Sequence, residues 1–286
     1  MRVPDDVKKC AVFFILPKAV ASGAVEEVDA ASGFIAEVNN ETTNLKHHYL
    51  VTARHVAEQC SHGAVKVRLN TIAGASQIVE LDGENWKFHP TDDTVDVAVM
   101  PWPFSRTEFD WRAIPVEPMF LAGRCTLEAK GIGIGDNTYS IGLFRTIAGR
   151  SRAMPLLRAG TIAMIPEERV ATDWKTAAGR GIEAYLIDST SICGLSGAPV
   201  LVARTIDVMP AEHTGRVPVG EGAHFLLGLI HGHSVVSLEP AEQLSDFRRD
   251  QINFGLAVVI PAEKILETLN GPWFVTERRQ AAAAPA

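Results

Sequence analysis

Several things are scarce in this chain of 286 residues, and each absence narrows the reading. No apolar run approaches the roughly 20 residues that a membrane-spanning helix needs, so no membrane partner is expected. Positive charge is in deficit: 27 Lys and Arg against 34 Asp and Glu leave a net charge of −7. Such a balance argues against nucleic acid or an anionic membrane as the main partner. Cysteine is limited to Cys10, Cys60, Cys125 and Cys193, widely spaced and without a C-x-x-C pair, so neither a zinc site nor a dense disulfide framework is signalled. Free thiols suit a reducing, cytoplasmic compartment. The leader Met1–Cys10 carries Asp5 and Asp6, and the apolar run that follows is too short for a secretory signal. No internal repeat is visible.

What remains is an ordinary globular composition, 47% hydrophobic and 21% charged. A chain of this length can bury about three quarters of its unfolded surface. Short apolar segments recur between turn residues, among them Ala11–Leu16, His48–Ala53, Val65–Leu69, Val95–Met100, Thr138–Leu143, Ala198–Val202, Phe225–Ile230 and Phe254–Ile260. Many short strands with Gly, Pro, Asn and Asp between them predict an all-β barrel or sandwich. A helix is predicted only at Pro261–Leu269, stopped by Asn270-Gly271. Gly131-Ile132-Gly133-Ile134-Gly135 lacks the G-x-G-x-x-G spacing and the following helix of a nucleotide loop. The arginines Arg145, Arg150, Arg152 and Arg158 read as a mobile basic loop with a solvated face.

Chemistry concentrates in three segments. They are Leu50-Val51-Thr52-Ala53-Arg54-His55, Val95-Asp96-Val97-Ala98-Val99 and Gly194-Leu195-Ser196-Gly197-Ala198-Pro199. A serine hydroxyl is a weak nucleophile at neutral pH, so acyl transfer needs a base to take its proton and a carboxylate to orient that base. His55, Asp96 and Ser196 supply those three groups. Period-2 alternation sets Val95, Val97 and Val99 on one face and Asp96 on the other, where a hydrogen-bond partner is required. Asp92 and Asp93 are near enough to compete for that role. The glycines around Ser196 suit a tight turn that aims the Gly194 and Ser196 amides at a developing oxyanion. A turn serine in an ordinary S-G-x-P loop is the bland alternative.

These segments resemble the T-A-x-H, D-[IV]-A-[LV] and G-[DN]-S-G-[GS]-P signatures of the chymotrypsin-like serine peptidases. Within them the chain looks closest to bacterial trypsin-like domains related to the high-temperature-requirement proteases, from about Ala11 to about Leu269. The resemblance implies two six-stranded antiparallel β-barrels with a short C-terminal helix. His55 and Asp96 would lie in a first barrel (1–118), Ser196 in a second (119–271), with a flexible tail at 272–286. It implies a serine endopeptidase acting on polypeptide through an acyl-enzyme, with no metal and no cofactor. Leu195 stands where the family carries Asp or Asn, which rules out activation by a new N-terminal amine and shifts attention to the ordering of loops such as Ala148–Leu157. Ala198 stands in place of a Gly.

For the substrate pocket, the resemblance implies one wall and floor at Ser189–Cys193, with neutral Thr190 at the floor, and an opposite wall from Ile230, His231, Gly232, His233 and Gly255. A buried Lys or Arg side chain would lack a counter-charge there, so cleavage after small or medium uncharged residues is expected. Relatives that cleave after Glu place a His in that wall. A one-residue shift would turn His231 against the catalytic Asp instead. Two other readings stand: an α/β-hydrolase esterase, disfavoured by Ala198 in the last G-x-S-x-G position, and a catalytically silent barrel that binds peptides or other proteins.

Overall fold

The computed structural model describes residues 5–19, 25–40, 45–60, 63–117, 121–172, 174–189, 194–203, 224–235 and 253–283. In the first half the strands are β1 (Ala11–Ala19), β2 (Val25–Asn39), β3 (Lys46–Thr52), β4 (Ala64–Asn70), β5 (Ser76–Asp82), β6 (Lys87–Phe88), β7 (Ala98–Pro101) and β8 (Ile114–Pro115), with helix α1 (Arg54–Cys60) after β3. They form an eight-stranded curled sheet in the order β5-β4-β1-β2-β3-β7-β6, with β8 paired to β2. Helix α2 (Arg124–Lys130) opens the second half. The strands β9 (Asn137–Gly142), β10 (Leu156–Met164), β11 (Tyr185–Asp188), β12 (Pro199–Ala203), β13 (Phe225–Val235) and β14 (Asn253–Pro261) then close a six-stranded barrel, β10-β11-β14-β13-β12-β9. The architecture is therefore all-β, as the sequence predicts, but the described strands of the first half make a curled sheet where a closed six-stranded barrel was expected.

The run Ala11–Leu16 does not alternate because β1 is buried on both faces. Val12, Phe14 and Leu16 enter the main apolar cluster, while Phe13 meets Leu143, Ala148 and Ala153 from the second half. Strands covered on both sides read as continuous apolar runs. In the barrel, by contrast, β11 alternates: Tyr185 and Ile187 are buried and Asp188 is exposed.

After β14 come helix α3 (Ala262–Leu269) and helix α4 (Pro272–Ala283). The second helix corrects the expectation of a flexible tail from 272. Its Phe274 ring packs edge-on against Tyr49 of β3 at 4.9 Å. Arg278, buried, donates to the Tyr49 hydroxyl at 3.2 Å and to the Leu269 carbonyl at 2.9 Å. An apolar anchor and a satisfied cation hold the segment to the first sheet.

The basic loop between β9 and β10 is also pinned. Arg68 of β4 donates to Asp29 at 2.7 Å, to the Gly149 carbonyl at 2.7 Å and to the Arg150 carbonyl at 3.2 Å. Asn70 both donates to the Ala153 carbonyl and accepts from its N–H, at 2.9 and 2.8 Å. The backbone of 149–153 is thus fixed by the first sheet, contrary to the mobile loop expected from its arginines. Cys10, Cys60 and Cys125 are free thiols. Burial pushes both Cys10 and Cys60 up to about 12, so neither is ionised at neutral pH.

Candidate active site

His55 lies in the first turn of α1, immediately after β3 delivers the chain to that corner. Asp96 sits two residues before β7 in irregular backbone, and Val95, Asp96, Val97 and Ala98 are all buried. Strand alternation therefore does not govern its direction. A hydrogen-bond demand does: a fully buried carboxylate must be paired. Asp96 accepts from His55 twice, Oδ1 from the backbone N–H at 2.9 Å and Oδ2 from Nδ1 at 2.8 Å. Burial alone would raise its pKa. The charge of His55 and the hydrogen bonds from His231 and His55 overcome that and hold Asp96 well below the usual carboxylate range.

The competing carboxylates are engaged elsewhere. Asp92 accepts from Thr94 and pairs with Arg169 at 3.0 Å, and Asp93 pairs with Arg180 at 2.7 Å.

The Ser196 turn is built against the same corner. Its carbonyl accepts from Ser32 of β2 at 2.9 Å, and Gly197 N–H donates to Ile230 at 2.7 Å. Gly197 has φ +82°, and a Cβ there would lie 2.2 Å from Thr52 Oγ1 and 3.0 Å from the Ala53 nitrogen. Only glycine lets the turn close on the residues that lead into His55. Gly194 has φ +108° and its carbonyl accepts from the buried Ser32 hydroxyl at 2.6 Å, while Ser32 Oγ itself accepts from Leu143 N–H at 2.8 Å. Ser32 thus ties the first sheet to the Ser196 turn. Sequence reasoning missed it, because a serine at the edge of an apolar run carries no local signal of such a contact.

Both departures from the family pattern are accommodated. Leu195 is buried in the barrel's apolar cluster with Ile162, Ile187 and Ala198. Ala198 faces Gly142, where an added Cβ would stand 2.9 Å from the Ala198 Cβ. The methyl group gained at Ala198 is matched by a side chain absent across from it.

On the pocket side, Thr190 lies outside the described residues, as does the side chain of His233. Ile230 is fully buried in the apolar cluster of the barrel, Gly232 faces open space, and Gly255 has φ +79° beside Asp188. His231 takes the second of its two expected registers, against Asp96. Its Nδ1 lies 2.5 Å from Asp96 Oδ2, and its Nε2 lies 3.1 Å from Thr172 Oγ1. The pairing of β13 with β14 shifts register between Ile230 and Gly232, which accompanies the turn of this side chain toward the first sheet. Ligand atoms of His55, Asp96 and His231 lie within 4.8 Å of one another, close enough for a metal ion. Hydrogen bonding of both rings to Asp96 already accounts for that proximity.

No protein-family model and no curated protein sequence matches the chain. Solved structures do. The apo MamO protease domain from Magnetospirillum magneticum is similar at 15% identity and TM-score 0.47, covering 92% of this chain and 96% of that one. The Rv3671c protease of M. tuberculosis in its active form aligns at 15% identity and TM-score 0.49, over 92% and 81% of the two chains. Its inactive form aligns at 15% identity and TM-score 0.47. All of these structures are of proteases or protease domains, and each is what this chain is similar to at a TM-score below 0.5.

Proposed function

We propose that the chain is a serine endopeptidase that hydrolyses polypeptide through an acyl-enzyme. The observation that carries this reading is the double acceptance of His55 by buried Asp96. An ionised Asp96 at Nδ1 makes that nitrogen the N–H of the neutral imidazole, so Nε2 is the basic nitrogen. In the proposed cycle Ser196 Oγ attacks the peptide carbonyl as His55 Nε2 accepts its proton. Asp96 holds the tautomer and stabilises the imidazolium. The Gly194 and Ser196 amides receive the oxyanion, His55 then protonates the leaving amine, and water resolves the ester. Glycine at 194, with its positive φ, supports the oxyanion assignment.

The strand pairing supports a division into 1–118 and 119–271, because β1–β8 pair among themselves and β9–β14 do likewise. Thr190, Ile230, Gly232, His233 and Gly255 remain the proposed surroundings of the substrate side chain, and the free thiols of Cys10, Cys60 and Cys125 support a cytoplasmic setting. Replacing Ser196 by Ala tests the reading: hydrolysis of a peptide library should fall by about 10⁶ in turnover. Unchanged cleavage in that variant would overturn Ser196 as the nucleophile, and no cleavage by the native chain would favour a silent barrel.

A further inference from the structure

We infer that His231 is a positioning residue for the catalytic carboxylate: a second imidazole that shares Asp96 Oδ2 with His55 and couples Thr172 and Trp174 to the triad. This rests on the protease reading for its kinetic consequences, although the hydrogen-bond arrangement stands independently of it.

Asp96 has no exposed side-chain surface, while the His231 side chain is about one-tenth exposed and His55 about one-quarter. Oδ2 faces two ring nitrogens, His55 Nδ1 at 2.8 Å and His231 Nδ1 at 2.5 Å. An ionised carboxylate only accepts, so both Nδ1 atoms carry hydrogen. For neutral His231 that makes Nε2 an acceptor, and the Thr172 hydroxyl lies 3.1 Å away to donate. The same hydroxyl oxygen accepts from Trp174 N–H at 3.1 Å, which orients it. Every polar atom in this chain of contacts then has a partner with the neutral ring. The two rings stand edge to face, centroids 5.4 Å apart, and Trp174 closes the other side at 6.0 Å.

Among the described residues, the charged groups around His231 are Asp96 and His55 from the first sheet and, farther out on that side, Arg54, stacked 5.9 Å over Trp174. From the segment beyond β10, Arg169 is paired with Asp92. Among the described residues, Asp96 is thus the carboxylate that touches the ring. Two donors on one oxygen divide its negative charge, so Oδ2 stabilises the His55 imidazolium less than an undivided carboxylate would. The arrangement fixes the carboxylate firmly while keeping His55 from becoming too basic.

His231→Leu removes the donor and retains the bulk, and His231→Asn keeps an N–H near the Nδ1 position. In His231→Leu, kcat should fall about 10-fold with little change in KM, as expected for loss of a charge-assisted hydrogen bond. The acid limb of kcat/KM should move to higher pH, because Asp96 then acts on His55 alone. His231→Asn should restore most of kcat. Proton NMR of the full chain supplies a readout free of catalysis. Two strongly downfield imidazole N–H resonances are expected, one lost in His231→Leu and the other in His55→Ala. A folded His231→Leu variant with native kcat and an unmoved acid limb, or a native spectrum with one such resonance, would overturn the inference. A native spectrum with both resonances in a chain that cleaves nothing would sink the protease reading and leave the Asp96–His231 bond standing.

Discussion

The two halves of the molecule hold their parts of the site by different means. The first half is a curled sheet in which side chains do the positioning: buried Asp96 aims His55, and Ser32 reaches across to the Gly194 carbonyl. The second half is a closed barrel in which backbone does it. Gly194 and Gly197 take positive φ, Leu195 anchors the turn in an apolar cluster, and Ala198 fits against Gly142. The contrast teaches where each half is fragile. Polar changes in the first half should cost catalysis, and changes of volume or polarity around the turn should cost stability.

Among changes that test this contrast, the largest expected effect is at Asp96→Asn, which leaves a similar shape but spoils the imidazole tautomer. Turnover should drop by about 10⁴. A steady-state assay beside circular dichroism checks this, and a loss of folding in place of activity would erase the proposed contrast.

Next is Leu195→Asp, which restores the residue type of the family's activation switch. Here it would bury an unpaired carboxylate among Ile162, Ile187 and Ala198. Destabilisation of at least about 3 kcal/mol is expected in urea unfolding, against less than about 1.5 kcal/mol for Leu195→Met.

Acid should act mainly through the first half. A carboxylate whose pKa is depressed by folding contributes stability that is complete above its unfolded value, near 3.9, and lost as pH falls through the folded one. Asp96 is such a group. The urea midpoint should therefore decline between about pH 5 and about pH 3, and less steeply in Asp96→Asn.

The smallest effect is at Gly142→Ala. Its Cβ would meet Ser32 Oγ at 2.7 Å and the Ala198 Cβ at 2.9 Å. A cost of about 1–3 kcal/mol is expected, partly recovered by adding Ala198→Gly. Strict additivity of the two changes would show that the methyl groups do not meet.

The halves also differed in how far they could be read from sequence. Segments predicted at Thr138–Leu143, Ala198–Val202 and Phe225–Ile230 fall within or overlap β9, β12 and β13, because apolar segments between turn residues mark barrel strands. In the first half β5 went unread: it buries Val79 and Leu81 but exposes Ile78, so it has no clean face. The first stretch of β2 is acidic and half-exposed, and β6 and β8 have two residues each, too short for any period. Helix α4 has no strong apolar stripe, since Phe274 and Arg278 anchor it singly. His55 and Asp96 were legible because their chemistry implies each other. Ser32 and Thr172 were not, because a hydroxyl's partner is set by tertiary contact and leaves no spacing in the chain.

The most direct test of the account is labelling by a fluorophosphonate followed by peptide mapping. The prediction is one adduct on Ser196, absent in Ser196→Ala and formed far more slowly in Asp96→Asn. A folded native chain that stays unlabelled, or carries its label on another residue, would contradict the account.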